Sequence, residues 1–506
     1  MRGQLMRKGS DKSDPYKRYI KKILGLTLII LLLSAPVIAK GQEELRYIPG
    51  IIHLHSKIST GAYSIKELAQ ITQAKGIPIM VITDHLLLRA EYGLSPFRRI
   101  IRKRVEKNSI LYSGVKDYLS EIKEASKLYP SLTIIPGAEV TPFYFWSGDF
   151  LKNNLTLHNF HKQFLVLGLE KEKDYLKMPV AGNQCFSFSR EKFLRLLASL
   201  ILILLGLGMI KRKRKNKFWF RSRFFISSYP YRKSGIVLLI LGLLFLFDSL
   251  LLSPDDPYHG EKNMQPYQNL INYVKERNGL SFWSAPEAKT EEKIRSIISS
   301  TLPYPEALLE TKDYTGFASL YEGYRKVGGQ EGIWDTVLTE YCRGERAKPV
   351  WTIGEIDYHS PREKKEIDEV QTVFLLSGID KNSVIAALGE GRCYALRRTK
   401  EYQLMLNNFT LSLPRGKIGK IGDTLITETR PRINFSVSFS DGKRRKVNVK
   451  LIRSGKIIRE FIGLTPMERR FYDYSLPEGE KSYYRLDIET EYPHKILTNP
   501  IFVKRK

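Results

Sequence analysis

The sequence predicts an α/β fold that is interrupted by a pair of membrane helices and followed by an all-β domain. A β-α-β pattern covers residues 45–85, where two apolar strands enclose an amphipathic helix. Two long apolar runs, 196–210 and 236–252, interrupt the α/β pattern and are typical of membrane-spanning helices. From residue 402 onward, apolar and polar residues alternate with a period of two, which is typical of strands that cover a core on one face.

The β-α-β unit carries metal-binding side chains at the ends of both strands. His53 and His55 lie two residues apart in an apolar run, so a regular strand would place both imidazoles on one face. Burying two neighbouring imidazoles costs hydration free energy that is not recovered unless a ligand binds them, and a divalent metal is the usual ligand. The second strand delivers Asp84 and His85 at its carboxyl end, the edge at which α/β barrels hold their active sites. The pattern favours a metal site over the alternative of surface strand residues.

Basic segments flank the apolar runs and predict how the chain crosses a membrane. Residues 1–22 hold eight Lys or Arg against two Asp, and residues 211–233 hold ten basic residues and no acidic one. Short basic segments stay in the cytoplasm. The apolar run 23–39 would therefore carry the chain out of the cytoplasm, the run 196–210 would carry it back in, and the run 236–252 would carry it out again. The first run is either a transmembrane helix or a cleaved signal peptide, because small residues end it. Buried core helices are the alternative for the two central runs.

The formal charge of +29 does not by itself indicate a nucleic-acid-binding protein. The two cytoplasmic segments contribute +6 and +10, which leaves +13 for the rest of the chain. This remainder is modest for so long a chain, so we expect no nucleic-acid partner, and we expect the basic loop to contact membrane lipid. Cys185, Cys342 and Cys393 are too few and too widely spaced for a disulfide framework or a thiolate zinc site.

These patterns divide the chain into six expected segments. If His53, Glu139 and Asp357 share one site, an even number of membrane spans must separate them, and a two-helix hairpin satisfies that condition. The segments are a basic cytoplasmic tail (1–22), a transmembrane helix or signal peptide (23–39), the first part of the α/β domain (45–192), a transmembrane hairpin (193–252) with its basic loop (211–233), the second part of the α/β domain (253–400), and a β-sandwich-like, Ig-like domain (401–506).

Metal-binding residue types recur at strand ends throughout the α/β domain. The segments are His53-Leu-His55, Thr83-Asp-His85, Gly137-Ala-Glu139, the histidines that precede the strand 164–168, and Asp357-Tyr-His359. Together they resemble the motifs of the PHP family (polymerase and histidinol phosphatase), whose members are metal-dependent phosphoesterases. The resemblance covers residues 45–400 and implies a distorted seven-stranded (β/α)7 barrel, here interrupted by the hairpin.

The resemblance also implies a set of site residues. His158 is the alternative to His161, because both histidines precede the same strand. Imidazole and carboxylate ligands without thiolate suit Zn, Mn or Fe, so the expected cofactors are one or two divalent metal ions. One ion would lie among His53, His55, Glu139 and Asp357, and a second would use His85 and His359. The implied metal ligands are His53, His55, His85, Glu139, His161, Asp357 and His359, and the implied catalytic residues are His53, Glu139 and Asp357.

Two positions depart from the family pattern. Thr60 stands where the family has an aspartate, and Ala285 stands where it has the histidine of a His-Pro pair. Neither side chain replaces the expected ligand. Glu355, by contrast, is an additional carboxylate on the same strand face as Asp357, and the resemblance assigns it no role.

Two hypotheses of function follow from the sequence. The first is a membrane-anchored phosphoesterase in the bacterial cytoplasmic (inner) membrane, with its catalytic domain on the extracytoplasmic side and a phosphorylated substrate that a metal-activated water attacks. The second is a degenerate barrel that acts as a non-catalytic binding or sensory module. A nuclease or polymerase-associated role is disfavoured by the expected topology.

Overall fold

The computed structural model describes residues 45–183, 190–220, 223–252, 256–294 and 296–506. The expected tail, the first apolar run and Cys185 lie outside the described residues. The first strands are β1 (Arg46–Leu54), β2 (Ile79–Ile82), β3 (Arg89–Gly93), β4 (Arg102–Glu106), β5 (Thr133–Val140), β6 (Phe145–Ser147), β7 (Thr156–His158) and β8 (Phe164–Leu167). The helices between and after them are α1 (Ile65–Ala74), α2 (Ile110–Ser113), α3 (Val115–Leu128) and α4 (Glu172–Leu176).

A helical hairpin with a two-stranded tip follows, and the α/β pattern then resumes. The hairpin comprises α5 (Arg190–Lys211), β9 (Lys213–Phe220), β10 (Arg223–Pro230) and α6 (Arg232–Leu250). The later helices are α7 (Gln265–Lys275), α8 (Ala307–Glu310), α9 (Ile333–Arg343) and α10 (Lys381–Glu390). The strands among them are β11 (Leu280–Trp283), β12 (Thr290–Ile294), β13 (Ile297–Thr301), β14 (Gly316–Leu320), β15 (Trp351–Gly354), β16 (Val370–Leu376) and β17 (Cys393–Arg397).

The last hundred residues contain strands and one short 3-10 turn. The strands are β18 (Leu404–Ser412), β19 (Ile418–Gly419), β20 (Thr424–Thr427), β21 (Arg432–Phe439), β22 (Lys446–Arg453), β23 (Lys456–Leu464), β24 (Met467–Tyr472), β25 (Lys481–Glu489), β26 (Lys495–Thr498) and β27 (Ile501–Arg505).

A curled sheet forms the centre of the α/β part. Its strand order is β15-β14-β11-β8-β5-β2-β1-β16-β17, and all neighbours from β15 to β1 are parallel except that β8 runs antiparallel to β5 and β11. Ile356 N donates to Ile52 O and Tyr358 N donates to His53 O, both at 3.0 Å, so the chain after β15 returns to β1. The result is an α/β half-barrel in which the carboxyl ends of β1, β2, β5 and β15 meet at one edge.

Burial explains why these segments form strands and helices. All four residues of β2 are buried, as a strand covered on both faces requires. In α1, Ser64 and Glu67 form the predicted capping box, and the buried residues Ile65, Leu68 and Ala69 lie on one helical face. These elements therefore hold the strand ends of the sheet in fixed positions.

The basic sequence from Glu91 to Pro130 predicts helices, and this prediction is wrong for residues 91–106. This segment is the β3–β4 hairpin, and the helical pattern begins only at α2 and α3. Pro96 would interrupt a helix, while Arg102 pairs with Glu91 across the strands at 2.7 Å. The exposed basic side chains therefore belong to a strand, not to a helix face.

The sequence also predicts a largely helical segment over residues 301–349, and this prediction is wrong at β14. Residues Gly316–Leu320 are completely buried and pair in parallel with β11 and β15. A buried apolar run of five residues has no periodicity that separates a strand from a helix.

The C-terminal alternation predicts the strands correctly but not their pairing. Asp441 and Gly442, which lie between two alternating segments, predict a hairpin of β21 with β22. That prediction is wrong, because β21 pairs with β18 and β24, whereas β22 pairs with β23 and β25. That turn crosses between two sheets, whose inward side chains share one core that includes Phe435, Val449 and Leu486. The larger of these sheets continues into the half-barrel sheet, because β26 pairs with β17.

The helices α5 and α6 are long and apolar enough to cross a membrane. Their large apolar side chains are unusually exposed, with 59% of Leu204 and 51% of Ile240 accessible. The helix pair is attached to the half-barrel by Asp248, which is buried in α6. Its carboxylate accepts hydrogen bonds from the backbone N–H of Arg99 at 2.9 Å and from the Arg99 guanidinium at 2.7 Å.

Candidate metal centre

A bulge in β1 brings the first two histidines together. The pairing of β1 with β2 shifts register between Ile52 and Leu54, and His53 has a φ of 77°. His55 lies just past the strand, where its backbone N–H donates to Tyr358 O at 3.0 Å. The two imidazoles therefore converge because the strand is distorted, not because they share one face of a regular strand.

Four side chains from three strand ends meet at this point. His53 Nε2 lies 3.1 Å from His55 Nε2 and 3.5 Å from both Glu139 Oε1 and Asp357 Oδ1. His55 Nε2 lies 3.4 Å from Glu139 Oε2 and 3.3 Å from Asp357 Oδ1. We call this set the first cluster. Asp357 forms its open side, because its side chain is 51% exposed while both histidines are buried.

A second cluster shares two of these residues. His85 Nδ1 lies 2.7 Å from Glu139 Oε2, and His55, His85 and Glu139 form a group whose potential ligand atoms lie within 4.8 Å of one another. The structure therefore places His85 beside Glu139, whereas the sequence predicted a pairing of His85 with His359. The rings of His85 and His359 are 6.3 Å apart, and His359 stacks on His55 at 4.1 Å instead.

The charges of the first cluster are those that a cation-binding site requires. Burial lowers the pKa of His55 to about 3, so this imidazole is neutral and has a free lone pair. Burial opposes ionisation of Glu139, but the charges of His85 and His53 outweigh it and hold the Glu139 pKa well below its usual range. Burial likewise disfavours a charged His53, yet the carboxylates of Asp357, Glu139 and Glu355 raise its pKa well above the ordinary value. The carboxylates thus attract a positive charge to this point.

The distances within the first cluster fit a divalent metal. Zinc binds imidazole nitrogen at 2.0–2.1 Å, so neighbouring ligands of a tetrahedral ion lie about 3.3 Å apart. The measured separations of 3.1 to 3.5 Å bracket that value. Glu139 Oε2 is buried, and the nitrogen nearest to it is His85 Nδ1 at 2.7 Å. The ligand types suit zinc, manganese or iron.

Hydrogen bonds on the outer side of the site fix the turn that follows β1. Asp84 is fully buried and accepts from Ser56 N at 2.7 Å and from Ser59 Oγ at 2.5 Å. The next residue, Thr60, places its hydroxyl 2.8 Å from His359 Nδ1. Thr60 thus contacts the final histidine through a hydrogen bond, at the position where the family has an aspartate.

Neither histidine before β8 belongs to the two clusters. His158 lies on β7, where its ring stacks on Phe145 and its Nε2 lies 2.6 Å from Ser147 Oγ. His161 packs edge-on against Phe160, and its backbone N–H donates to Thr301 Oγ1 at 3.1 Å. Burial lowers the pKa of His161, and the charge of Glu139 opposes that shift, so this ring lies near the site without joining either group.

Sequence reasoning assigned no role to three residues that contact the first cluster or its neighbours. Glu355 contacts His53 Nδ1, Lys365 Nζ donates to the Asp357 carbonyl, and Ser284 donates to Glu355. Of these, only Glu355 carried a signal, namely its place on the same strand face as Asp357. Ser284 and Lys365 reach the site only in the folded chain, and no local sequence pattern marks them.

The fold and the site define an α/β half-barrel protein with a cluster of histidines and carboxylates at the carboxyl edge of its sheet. The model of the PHP domain matches residues 52–348, which is more than half of the chain. The chain therefore belongs to the PHP domain family, as the motifs predicted.

The individual proteins that this chain resembles share only a short segment with it or have low sequence identity to it. A segment of 102 residues is 35% identical to the DNA polymerase/3'-5' exonuclease PolX of Bacillus subtilis, and it covers 18% of this chain and 17% of that protein. The match thus spans about a sixth of the relative's length. A two-domain protein of Bacteroides vulgatus containing a predicted PHP-like metal-dependent phosphoesterase is 11% identical, with coverage of 87% of this chain and 90% of that chain and a TM-score of 0.34. An amidohydrolase of Chromobacterium violaceum with bound sulfate and no metal is 11% identical, with coverage of 62% and 88% and a TM-score of 0.26.

Proposed function

We propose that this protein is a metal-dependent phosphoesterase. The observation that carries the proposal is the first cluster, in which the Nε2 atoms of His53 and His55, Oδ1 of Asp357 and the two oxygens of Glu139 lie 3.1 to 3.5 Å from one another across each imidazole contact, as the ligands of one metal would. Membership of the PHP domain family supports the same activity.

The proposed roles follow from position. His53, His55, Glu139 and Asp357 would hold one divalent ion, and His85 with Glu139 would contribute to a second. Such ions polarise a phosphoryl oxygen and lower the pKa of a bound water, which is the chemistry of phosphate-ester hydrolysis. Glu139 would contribute to both groups of ligands, because its Oε1 lies near His53 and its Oε2 lies near His85. Asp357 lies on the open side, where a phosphate ester can approach.

Hydrolysis of a simple ester tests the proposed activity. We expect the detergent-solubilised protein to hydrolyse p-nitrophenyl phosphate or bis-p-nitrophenyl phosphate, to lose that activity on dialysis against a chelator, and to regain it with zinc, manganese or iron(II). A metal-loaded protein that turns over neither these esters nor a broad panel of phosphate esters would contradict the proposal.

The second candidate is a binding or sensory module that keeps a metal but performs no hydrolysis. Thr60 and Ala285, two substitutions at positions where the family has ligands, favour this alternative. Metal binding without turnover in the same assay would support it.

We further propose that α5 and α6 cross a membrane and that the site faces the extracytoplasmic side. The exposed apolar surface of both helices and the basic residues between them support this topology. We expect a membrane-impermeant maleimide to label Tyr492→Cys in intact spheroplasts, and Asn216→Cys only after permeabilisation, in a background whose native cysteines are replaced by serine. Tyr492 is 76% exposed, so access does not limit its labelling. Labelling of both positions in intact spheroplasts, or the reverse pattern, would contradict the topology.

A further inference from the structure

Glu355 is a buried carboxylate that directly contacts a proposed metal ligand. It follows β15, is 2% exposed, and its Oε2 lies 3.0 Å from His53 Nδ1. Two groups on the β11 end hold the other side of the carboxylate. Ser284 Oγ donates to Oε1 at 2.9 Å, and the backbone N–H of Ala285 donates to the same oxygen at 2.8 Å.

The hydrogen bond determines which nitrogen of His53 faces the first cluster. A carboxylate can only accept, so His53 Nδ1 carries the hydrogen and donates it to Glu355. The second ring nitrogen, Nε2, faces His55, Glu139 and Asp357, so it is the nitrogen that would donate its lone pair to a metal. A carboxylate behind a metal-binding histidine fixes the ring orientation and increases the basicity of the ligand nitrogen.

We propose that Glu355 is a positioning residue for His53, an inference that rests on the proposed metal-dependent function. Glu355 is not itself a ligand of the first cluster, because its oxygens are engaged by His53, Ser284 and Ala285. It reaches His53 from the side opposite the cluster.

The anchoring of Glu355 involves one of the positions where this chain departs from its family. At Ala285, where the family has a histidine, the chain offers only a backbone N–H, and that group binds Glu355. Tyr304 OH in turn donates to the carbonyl of Ser284, so the anchoring segment is itself held in place. The β11 end, which would carry a ligand in the family, thus supports the orientation of His53 here.

Metal affinity of the protein, measured by titration of the metal-free form with zinc and with manganese, tests this role. We expect Glu355→Ala to weaken binding about 10- to 100-fold, the range for loss of a partner behind a metal-binding histidine. Glu355→Gln keeps an oxygen that can accept from His53, so we expect a smaller loss. Cobalt substitution should also shift the visible absorption bands of Glu355→Ala, because the orientation of the His53 ring changes.

Glu322→Ala is the matched control. Glu322 is an exposed carboxylate near Glu355 and Asp357 that has no hydrogen bond to His53. Its removal changes the local charge without touching the ring. We expect metal affinity within about twofold of the wild type, which is less than 0.5 kcal/mol at RT of 0.59 kcal/mol.

The outcomes distinguish a failure of the positioning role of Glu355 from a failure of the proposed metal-dependent function. If the wild type binds metal and Glu355→Ala, with an unchanged melting temperature, binds equally well, the positioning role is wrong while the proposed function stands. An equal loss in Glu322→Ala would mean that only charge matters, which also overturns the role. If the wild type binds no metal, the proposed function itself fails. Should Glu355→Ala not fold, Glu355→Gln alone decides the question: a weaker metal affinity with shifted cobalt bands supports the positioning role, and an affinity and cobalt spectrum equal to those of the wild type contradict it.

Discussion

Replacing His53 with alanine is expected to reduce phosphate-ester turnover at least 100-fold. Loss of a partner behind a metal ligand costs about 10- to 100-fold, and loss of the ligand itself should cost more. His53 is 1% exposed and contacts all three other members of the first cluster, so its removal leaves the two carboxylates facing only His55. Steady-state kinetics on p-nitrophenyl phosphate at saturating metal, with parallel titration of metal affinity, measures the effect.

His158→Ala is the matched control for this variant. It removes the same side chain from β7, where the ring contacts Phe145 and Ser147 and no member of either cluster. We expect the turnover of His158→Ala to lie within about twofold of that of the wild type, because the His158 ring contacts residues of β6 and no member of either cluster. Equal losses in His53→Ala and His158→Ala would show that the assay reports general stability, and an active His53→Ala would remove this residue from the site.

Glu139→Gln is expected to have the largest effect on metal content, because both clusters share this side chain. Glu139 Oε1 lies 3.5 Å from His53 and Glu139 Oε2 lies 2.7 Å from His85. Glutamine keeps the shape but removes the negative charge, and its amide nitrogen has no lone pair for a cation. We expect the metal content per chain to fall to near zero by inductively coupled plasma mass spectrometry, with turnover falling at least as far as in His53→Ala.

The comparison variant is His85→Ala, which belongs to the second cluster alone. We expect it to retain the metal of the first cluster, so that its metal content lies between those of the wild type and Glu139→Gln. If His85→Ala loses as much metal as Glu139→Gln, the two clusters form one site. If Glu139→Gln retains the full metal content, the bridging role of Glu139 is wrong.

The composition of the site could be predicted from the sequence more readily than its geometry. His53, His55, Glu139 and Asp357 lie at or just past the carboxyl ends of apolar strands. Such strand ends meet at one edge of a sheet, so the proximity of these residues follows from the pattern. The bulge at His53 could not be predicted, because the tertiary contact between Tyr358 and the β1 end imposes it. Whether these four residues bind a metal remains a prediction.

Elements whose pairing depends on distant parts of the chain were predicted less well. The alternation of apolar and polar residues predicted β21 and β22 as strands but not the sheets to which they belong. A turn of a few residues can join two strands of one sheet or strands of two packed sheets. The basic segment 98–104 is typical of an exposed helix face, but Pro96 would interrupt a helix, and Arg102 pairs with Glu91 across the β3–β4 hairpin instead. His161 precedes β8 as predicted, but it lies outside both clusters. Its backbone N–H donates to Thr301 on β13.

The central claim is that the half-barrel holds a divalent metal, and metal content tests it most directly. The measurement is mass-spectrometric metal analysis of the purified full-length protein in detergent, before and after reconstitution, beside a His53→Ala/Asp357→Ala double variant of unchanged melting temperature. The account predicts one or two equivalents of transition metal per chain in the wild type and a loss of the first-cluster metal in the double variant. A wild type that contains no metal even after reconstitution, or a double variant that retains the full amount, would contradict it.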